Sequence, residues 1–588
     1  IAFAPHKSPR EIRSLTRKHF QRLGANLICS VKLGSMPLEK VAECVSLENP
    51  DLVHAELRAG HSLVMALSHL GNWELFAQLF PRYFGYVRLS TVYQPLSNPH
   101  IDADVRRQRA RAGVELFDRR EGFQKAISLL RTGGLIGIFC DQHAGDHGLW
   151  TPFFGRLAST TPLAGLLAKR TTAALFGAAI YTDGPARWRM VFTPRIDASG
   201  DSVESITAKV NAAIAQQIRS APEDWFWVHN RWKTPQPNFL LTRYKRGVYV
   251  PSAEPLKSFR ILIRGPNWLG DNVISATAVR AIKKGRPDAH ITLAVPRKLA
   301  PVWQLLPEVD EIVALPAKSL FDVAHLFKQQ PAFDAAILFP NSLRAALEVW
   351  LAAIPRRVGY RGHHRSWLLN QIVPDLPRQG PIQHQFYHYL EIARNLGTKV
   401  SDSPAMAPPP NGRAAQLKLG LCPGAEYGPA KRWLPERFVE VAAAVAAQQS
   451  VQWHLFGTAV DAEIGSAIAD QLGDGCVNRI GQTSLAELIA ELRACRLLLT
   501  NDTGTMHLAT LVGVPVVAVF GSTEQRLTGP LGAGNIVLRH HVECSPCFLR
   551  ECPIDFRCMK AVPAEEVTAA VLSLLSETGR DVGAATAR

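Results

Sequence analysis

The chain has 588 residues, 47% of them hydrophobic and 20% charged, with a net charge of +16 and a pI near 9.5. That length has room for about three or four domains, and the composition is that of globular domains with real cores. Ten cysteines are too few for a disulfide scaffold and fit a reducing compartment. Charge speaks to partners, not to fold. Nucleic acid, an anionic membrane face and anionic substrates would all suit it. No zinc-finger, homeodomain or RNA-recognition signature is present, which removes nucleic acid. A merely basic soluble protein is the competing reading. No run of 18 apolar residues exists, so this sequence holds no transmembrane helix, and no signal peptide is visible. The chain starts at Ile1 rather than Met, which leaves room for a preceding segment with a membrane anchor; a peripheral, purely soluble form is the competing reading.

The first section runs to about residue 235 and reads as α/β. Short apolar runs, Ser62–Leu67 and Gly134–Cys140, predict buried strands between amphipathic stretches. A polar, Pro-containing passage, 236–258, predicts a linker. The strand grammar then restarts. Phe259–Arg264 is a strand, Gly265–Asp271 a loop, Asn272–Lys284 a helix and Ile291–Val295 the next strand, the opening of a doubly wound sheet. A Ser/Pro-rich stretch near 401–412 marks a hinge. A second such unit follows, with strands near Leu419–Cys422, Gln452–Phe456, Leu497–Thr500 and Val516–Phe520. Two α/β lobes are therefore expected, 259–405 and 406–588.

In Ser68-His-Leu-Gly-Asn-Trp-Glu74, His69 and Glu74 lie five apart, ~140° around a continuous helix. A strand-to-helix turn through Gly71 can instead bring them together. A carboxylate on one ring nitrogen leaves the other as a base for a hydroxyl. His-x4-Glu alone is weak, since a His after an apolar run is more often structural. Further segments follow in order: Tyr93-Gln-Pro95 with Asn98-Pro99, Glu115–Arg119, Asp141-Gln142, Pro152–Gly155, Ala158–Thr160, and Glu223–His229 with Arg231 and Lys233. Together they resemble the bacterial lipid A biosynthesis acyltransferases, relatives of the lysophospholipid acyltransferases, although Gln94 stands where that family has Arg. The resemblance implies His69 as general base, Glu74 as its orienting partner, Arg119 as a phosphate or sugar contact, and Asp141 and Gln142 as acceptor-pocket residues. A surface ion pair for Arg119 and buried polar structure for Asp141 and Gln142 stay open. It also implies acyl carrier protein as donor. That partner is acidic, and residues 1–235 carry 29 Lys and Arg against 20 Asp and Glu.

In the second section, Asp271 closes a loop at a strand's carboxyl end, where ligands of such sheets bind. It can take a proton from an attacking sugar hydroxyl. Cys422–Trp433 is a Gly-containing loop whose N–H groups and Lys431 suit a diphosphate. In Asn501–His507, Asp502 and Thr503 are good helix caps, and the N–H groups of Thr503 and Gly504 can meet phosphate. A solvated Lys and caps with no ligand are the plain alternatives. With Phe339–Ser342 and Arg357–Gly362, these segments resemble the ADP-heptose–lipopolysaccharide heptosyltransferases of glycosyltransferase family 9, of the second heptosyltransferase type. That resemblance implies a GT-B fold and inverting transfer with no cofactor required for catalysis. Asp271 becomes the base and Lys431 the stabiliser of departing ADP. Asp502, Thr503, Gly504 and His507 become donor contacts, and Arg344, Arg357, Arg361 and Arg365 candidates for an anionic acceptor, some of them surface charge only.

Cys544, Cys547, Cys552 and Cys558 have ligand-like spacing. A structural zinc, an iron–sulfur cluster, a local disulfide and unliganded thiols are all open. The expectation from sequence is thus a fusion of lipid A acyltransferase and heptosyltransferase on the cytoplasmic face of the inner membrane. Its partners would be acyl carrier protein, ADP-heptose and a Kdo-lipid A-type glycolipid. The competing expectations are another sugar or glycolipid, or a first domain that only docks to membrane or acyl carrier protein.

Overall fold

The computed structural model describes residues 7–118, 122–252, 255–316, 319–376, 380–399 and 417–584. The chain divides into two compact units. One comprises 1–235 and 241–258, the other 236–240 and 259–588.

The first unit contains β1 (Val45–Glu48), β2 (Leu63–Leu67), β3 (Leu89–Tyr93), β4 (Glu115–Asp118), β5 (Leu135–Phe139), β6 (Leu149–Phe153), β7 (Arg156–Thr160), β8 (Ala174–Gly184) and β9 (Arg187–Phe192). Seven form one sheet in the order β1-β9-β8-β2-β5-β3-β4, while β6 and β7 make a separate hairpin. Only β8 and β9 run antiparallel within the large sheet. Strands β2 and β5 sit near its middle and are apolar throughout, as strands covered on both faces must be. Separate cores fill the two faces.

The passage 236–258 is divided between the units. Leu241 and Tyr244 join Trp150 and Leu157 in a small core of the first unit. Phe239 and Leu240 enter the core of the second, where the Leu240 N–H donates to the Leu396 carbonyl.

The second unit has two six-stranded, wholly parallel sheets. The first holds β10 (Phe259–Arg264), β11 (Ala289–Pro296), β12 (Glu311–Leu315), β13 (Ala335–Leu338), β14 (Arg357–Tyr360) and β15 (Gln371–Val373). The other holds β16 (Leu417–Cys422), β17 (Val451–Leu455), β18 (Cys476–Asn478), β19 (Leu498–Asn501), β20 (Val516–Val519) and β21 (Ile536–Leu538). Their orders, β12-β11-β10-β13-β14-β15 and β18-β17-β16-β19-β20-β21, are the same dinucleotide-fold order repeated. The order reverses beside β10 in one lobe and beside β16 in the other. Ligands of such sheets bind at the carboxyl ends of those strands. The expected hinge at 401–412 lies outside the described residues. No helix among the described residues is long and apolar enough to cross a membrane.

Candidate functional site

The first site is built by strand register. Strands β2 and β5 run parallel with Leu67 opposite Phe139. Two residues further along each chain stand His69 and Asp141, side by side. The Asp141 carboxylate takes the His69 Nδ1–H at 2.8 Å with one oxygen. Its other oxygen accepts the His69 backbone N–H at 2.7 Å and the Trp225 indole N–H at 2.8 Å. Burial raises the Asp141 carboxyl's pKa, but the His69 ring and these donors outweigh it and hold the group below the usual carboxylate range. The ring packs on Phe139 and against the edge of Trp73, with centroids 4.4 and 5.2 Å away. Nδ1 is therefore committed, and Nε2 is the nitrogen left for chemistry. The Gln142 amide nitrogen lies 3.5 Å from it.

This corrects the expected partner of the histidine. Glu74 does not orient His69. Both its oxygens are taken by Arg109, at 2.7 and 2.9 Å. The turn through Gly71 does exist, at φ +56°, with its N–H donating to the Asp224 carbonyl. A Cβ there would meet the Ile180 carbonyl oxygen at 2.4 Å, so the turn needs glycine. The turn sends Glu74 to the start of the helix Leu75–Phe84, where Arg109 holds it. Beside the dyad lies an apolar cavity of about 40 Å³, lined by Leu67, Trp73, Phe76, Phe80 and Phe139, with the Glu74–Arg109 pair on its wall. Arg119 lies outside the described residues. His143 and His229 also stand near: the His143 N–H donates to His229 Nε2 at 2.8 Å, and burial drives His143 down to about 4.

In the second unit, Asp271 lies in the first turn of the helix Leu269–Gly285, directly after the loop from β10. Gln385 donates to its Oδ1 at 2.8 Å, and the Tyr389 hydroxyl is a second partner. Burial raises its pKa more than these neutral donors lower it. Sequence reasoning missed both, since they lie more than a hundred residues away in or beside the helix Phe386–Asn395.

The opposite lobe brings Lys431, Asp502 and Thr523 together. Lys431 Nζ stands 2.5 Å from Asp502 Oδ2, and the Thr523 hydroxyl donates to the same oxygen at 2.7 Å. Thr523 carried no signal in the sequence reading. Thr503 is the residue before the helix Gly504–Leu511 but its side chain makes no cap bond. His507 is buried, its Nδ1 has no partner among the described residues, and burial lowers the ring's pKa to about 4, so the ring is neutral at pH 7. The helices Leu269–Gly285 and Gly504–Leu511 meet tightly: a Cβ on Gly270 would lie 3.0 Å from the His507 ring, and one on Gly504 3.0 Å from Leu269. The helix that carries Asp271 and the helix that follows Asp502 and Thr503 are thus in direct contact.

The expected arginine set divides. Arg361 and Arg344 are exposed, the latter also paired with buried Glu348 at 3.1 Å. Arg357 is spent on the Leu368 and Ile354 carbonyls, at 2.6 and 2.7 Å. Arg365 is corrected to a structural role. It is fully buried and binds the Tyr360 and Pro340 carbonyls and the Asn341 side chain. Among the described residues no three His, Cys, Asp or Glu side chains group to hold a metal ion, while burial and then the nearby Cys544, Cys547 and Cys552 thiols raise the pKa of Cys558. Cys558 is buried among apolar residues of the lobe core, and the Cys552 sulfur accepts the Phe556 N–H.

Comparison with known proteins finds two families along the chain. Residues 2–234 match the family model of bacterial lipid A biosynthesis acyltransferases, and residues 324–556 that of glycosyltransferase family 9, the heptosyltransferases. The chain is 31% identical to lipooligosaccharide heptosyltransferase 2 of Haemophilus influenzae over 306 residues, 47% of this chain and 88% of the relative. It is 27% identical to the lipid A biosynthesis lauroyltransferase of Escherichia coli over 248 residues, 41% of this chain and 78% of the relative. The solved ADP-heptose lipopolysaccharide heptosyltransferase II of E. coli matches 54% of this chain and 99% of its own, at 27% identity and a TM-score of 0.46. The chain belongs to glycosyltransferase family 9, the heptosyltransferases, and carries a lipid A acyltransferase-homologous domain ahead of that part.

Proposed function

We propose that the chain is a bifunctional enzyme of lipopolysaccharide assembly, acylating a lipid A-type precursor with its first unit and adding heptose to the inner core with its second. The observation that carries this is the His69–Asp141 pair. A heptosyltransferase with a mere docking module would not need a histidine whose tautomer is fixed by a buried carboxylate beside an apolar cavity. In the acyl reaction, His69 Nε2 takes the proton of an acceptor hydroxyl. The oxygen attacks the thioester carbonyl of acyl carrier protein, and the leaving thiolate takes the proton back. In the glycosyl reaction, Asp271 takes the proton of an acceptor-sugar hydroxyl as that oxygen displaces ADP from the heptose anomeric carbon with inversion. Lys431 meets the charge on the departing diphosphate, and the first turn of the helix from Gly504 offers it N–H groups. Arg344 and Arg361 are the exposed cations for the acceptor's phosphates and carboxylates.

Work at an anionic membrane face is supported by the helix Pro9–Leu33. It buries His19 and Asn26 yet exposes Phe20, Leu27, Ile28 and Val31, with Arg10, Arg13 and Arg17 on the preceding turns. The inner membrane's cytoplasmic face, where both substrates would be held, fits that reading. The test is mass spectrometry of lipid A–core from cells lacking the protein. Loss of one acyl chain and one heptose is expected; an unchanged lipid would end the proposal.

A further inference from the structure

Tyr427 lies in the loop after β16 that ends in Lys431, and it is about two-fifths exposed. Lys431 Nζ stands 4.9 Å from the centroid of its ring, and the Arg550 guanidinium 5.2 Å. Its hydroxyl donates to the Phe548 carbonyl at 2.9 Å. Phe548 sits in the Cys-rich segment with φ +56°, and its own N–H donates to the Ser522 carbonyl at 2.8 Å. Ser522 precedes Thr523, whose hydroxyl holds the Asp502 oxygen that also holds Lys431. The contacts close a ring: Lys431, Asp502, Thr523, Ser522, Phe548, Tyr427 and back to Lys431. A second stitch fixes the same loop. The Ala430 N–H donates to the Arg550 carbonyl at 2.9 Å, and a Cβ on Gly428 would meet that oxygen at 2.4 Å.

We propose that Tyr427 is a positioning residue for Lys431, and that through its hydroxyl the Cys-rich segment sets where that ammonium stands. The inference rests on Lys431 serving the donor diphosphate. Asp502 neutralises Lys431 when the site is empty. When a diphosphate arrives, the ammonium has to share itself with a second anion, and the aromatic face beside it keeps it in the site while it does so. The hydroxyl anchors that face to Phe548, whose two backbone groups bond to two different donor-side loops. The Cys-rich segment is then a brace for the donor subsite, a role that needs no ion among its thiols.

The two contributions separate by substitution. Tyr427→Phe keeps the ring and loses the anchor; Tyr427→Leu loses both. With the full chain, binding of ADP should weaken roughly three- to tenfold for Tyr427→Phe, the loss of one hydrogen bond. For Tyr427→Leu it should weaken roughly ten- to fiftyfold. KM for ADP-heptose should follow the same order, with KM for acceptor unchanged and kcat changed less than the donor KM. A graded loss confined to the donor supports the proposal; equal changes in both KM values would mark a general structural defect and overturn it. Lys431→Ala separates the two layers. If it leaves ADP binding intact, the reading of Lys431 itself is wrong. If it weakens ADP binding while Tyr427→Leu binds as the unaltered chain does, only the role of Tyr427 falls.

Discussion

The two bases proposed for this chain are held in opposite ways. His69 stands against a charged, fully buried carboxylate, fixed by the register of two central parallel strands. Asp271 stands at a helix start, held by a neutral amide and a phenol from a distant segment. The charged arrangement fixes which nitrogen acts and keeps Asp141 ionised. The neutral one holds a carboxylate in place while burial raises its affinity for a proton. A histidine base needs its tautomer chosen; a carboxylate base needs its basicity raised.

Substitutions test that contrast, the largest effects first. His69→Ala and Asp271→Asn should each cost about 10²–10⁴ in turnover of their own reaction and leave the other within twofold. Asp141→Asn should cost acyl transfer about a hundredfold or more, because the amide no longer selects the tautomer. Glu74→Gln should cost less than about tenfold, since Glu74 meets Arg109 and not the histidine; the ranking of these two decides which acid is the partner. Acyl transfer assays on the purified chain measure both. Smaller still is the effect on pH dependence. As the proposed base, Asp271 has to be ionised, and its pKa is raised by burial, so heptosyl transfer should fall with decreasing pH at a point above the ordinary carboxylate range. The donors Gln385 and Tyr389 work against that rise. Gln385→Ala should therefore move the acid limb of kcat/KM further up in pH, with a loss of about fivefold at neutral pH. An acid limb that moves down would contradict the assigned hydrogen bond.

The sequence made the elements legible and the pairings only in part. The strand at Phe259–Arg264 has the bounds expected from its apolar run, and the one expected at Val516–Phe520 ends a residue earlier, because buried parallel strands are short apolar blocks bounded by Gly and Pro. The helix expected from Asn272 starts at Leu269, so Asp271 lies in its first turn rather than in the loop. Local motifs placed His69 and Asp271 after strands, Lys431 in a Gly-containing loop and Asp502 as a helix cap; that Lys431 and Asp502 pair with each other is seen only in the structure. The nearby Glu74 is the partner that the motif suggests; Asp141 takes the place because β2 and β5 are neighbours, a non-local fact no spacing encodes. Arg365 looks like its neighbour Arg361 in the sequence, yet one is buried under four carbonyl and amide oxygens and the other faces solvent. Tyr427 lies inside the Cys422–Trp433 motif without standing out in it, because its partner Phe548 is more than a hundred residues later; Thr523 belonged to no motif, and only the fold brings it to Asp502.

The most direct test of two independent sites is a pair of single-site variants of the full chain, His69→Ala and Asp271→Asn. Each is supplied with acyl carrier protein thioester, ADP-heptose and a Kdo-lipid A acceptor, and the products are read by mass spectrometry. Two independent sites predict heptose without the new acyl chain from the first variant and the acyl chain without heptose from the second. Acylated product from His69→Ala, or heptosylated product from Asp271→Asn at the unaltered rate, would contradict it.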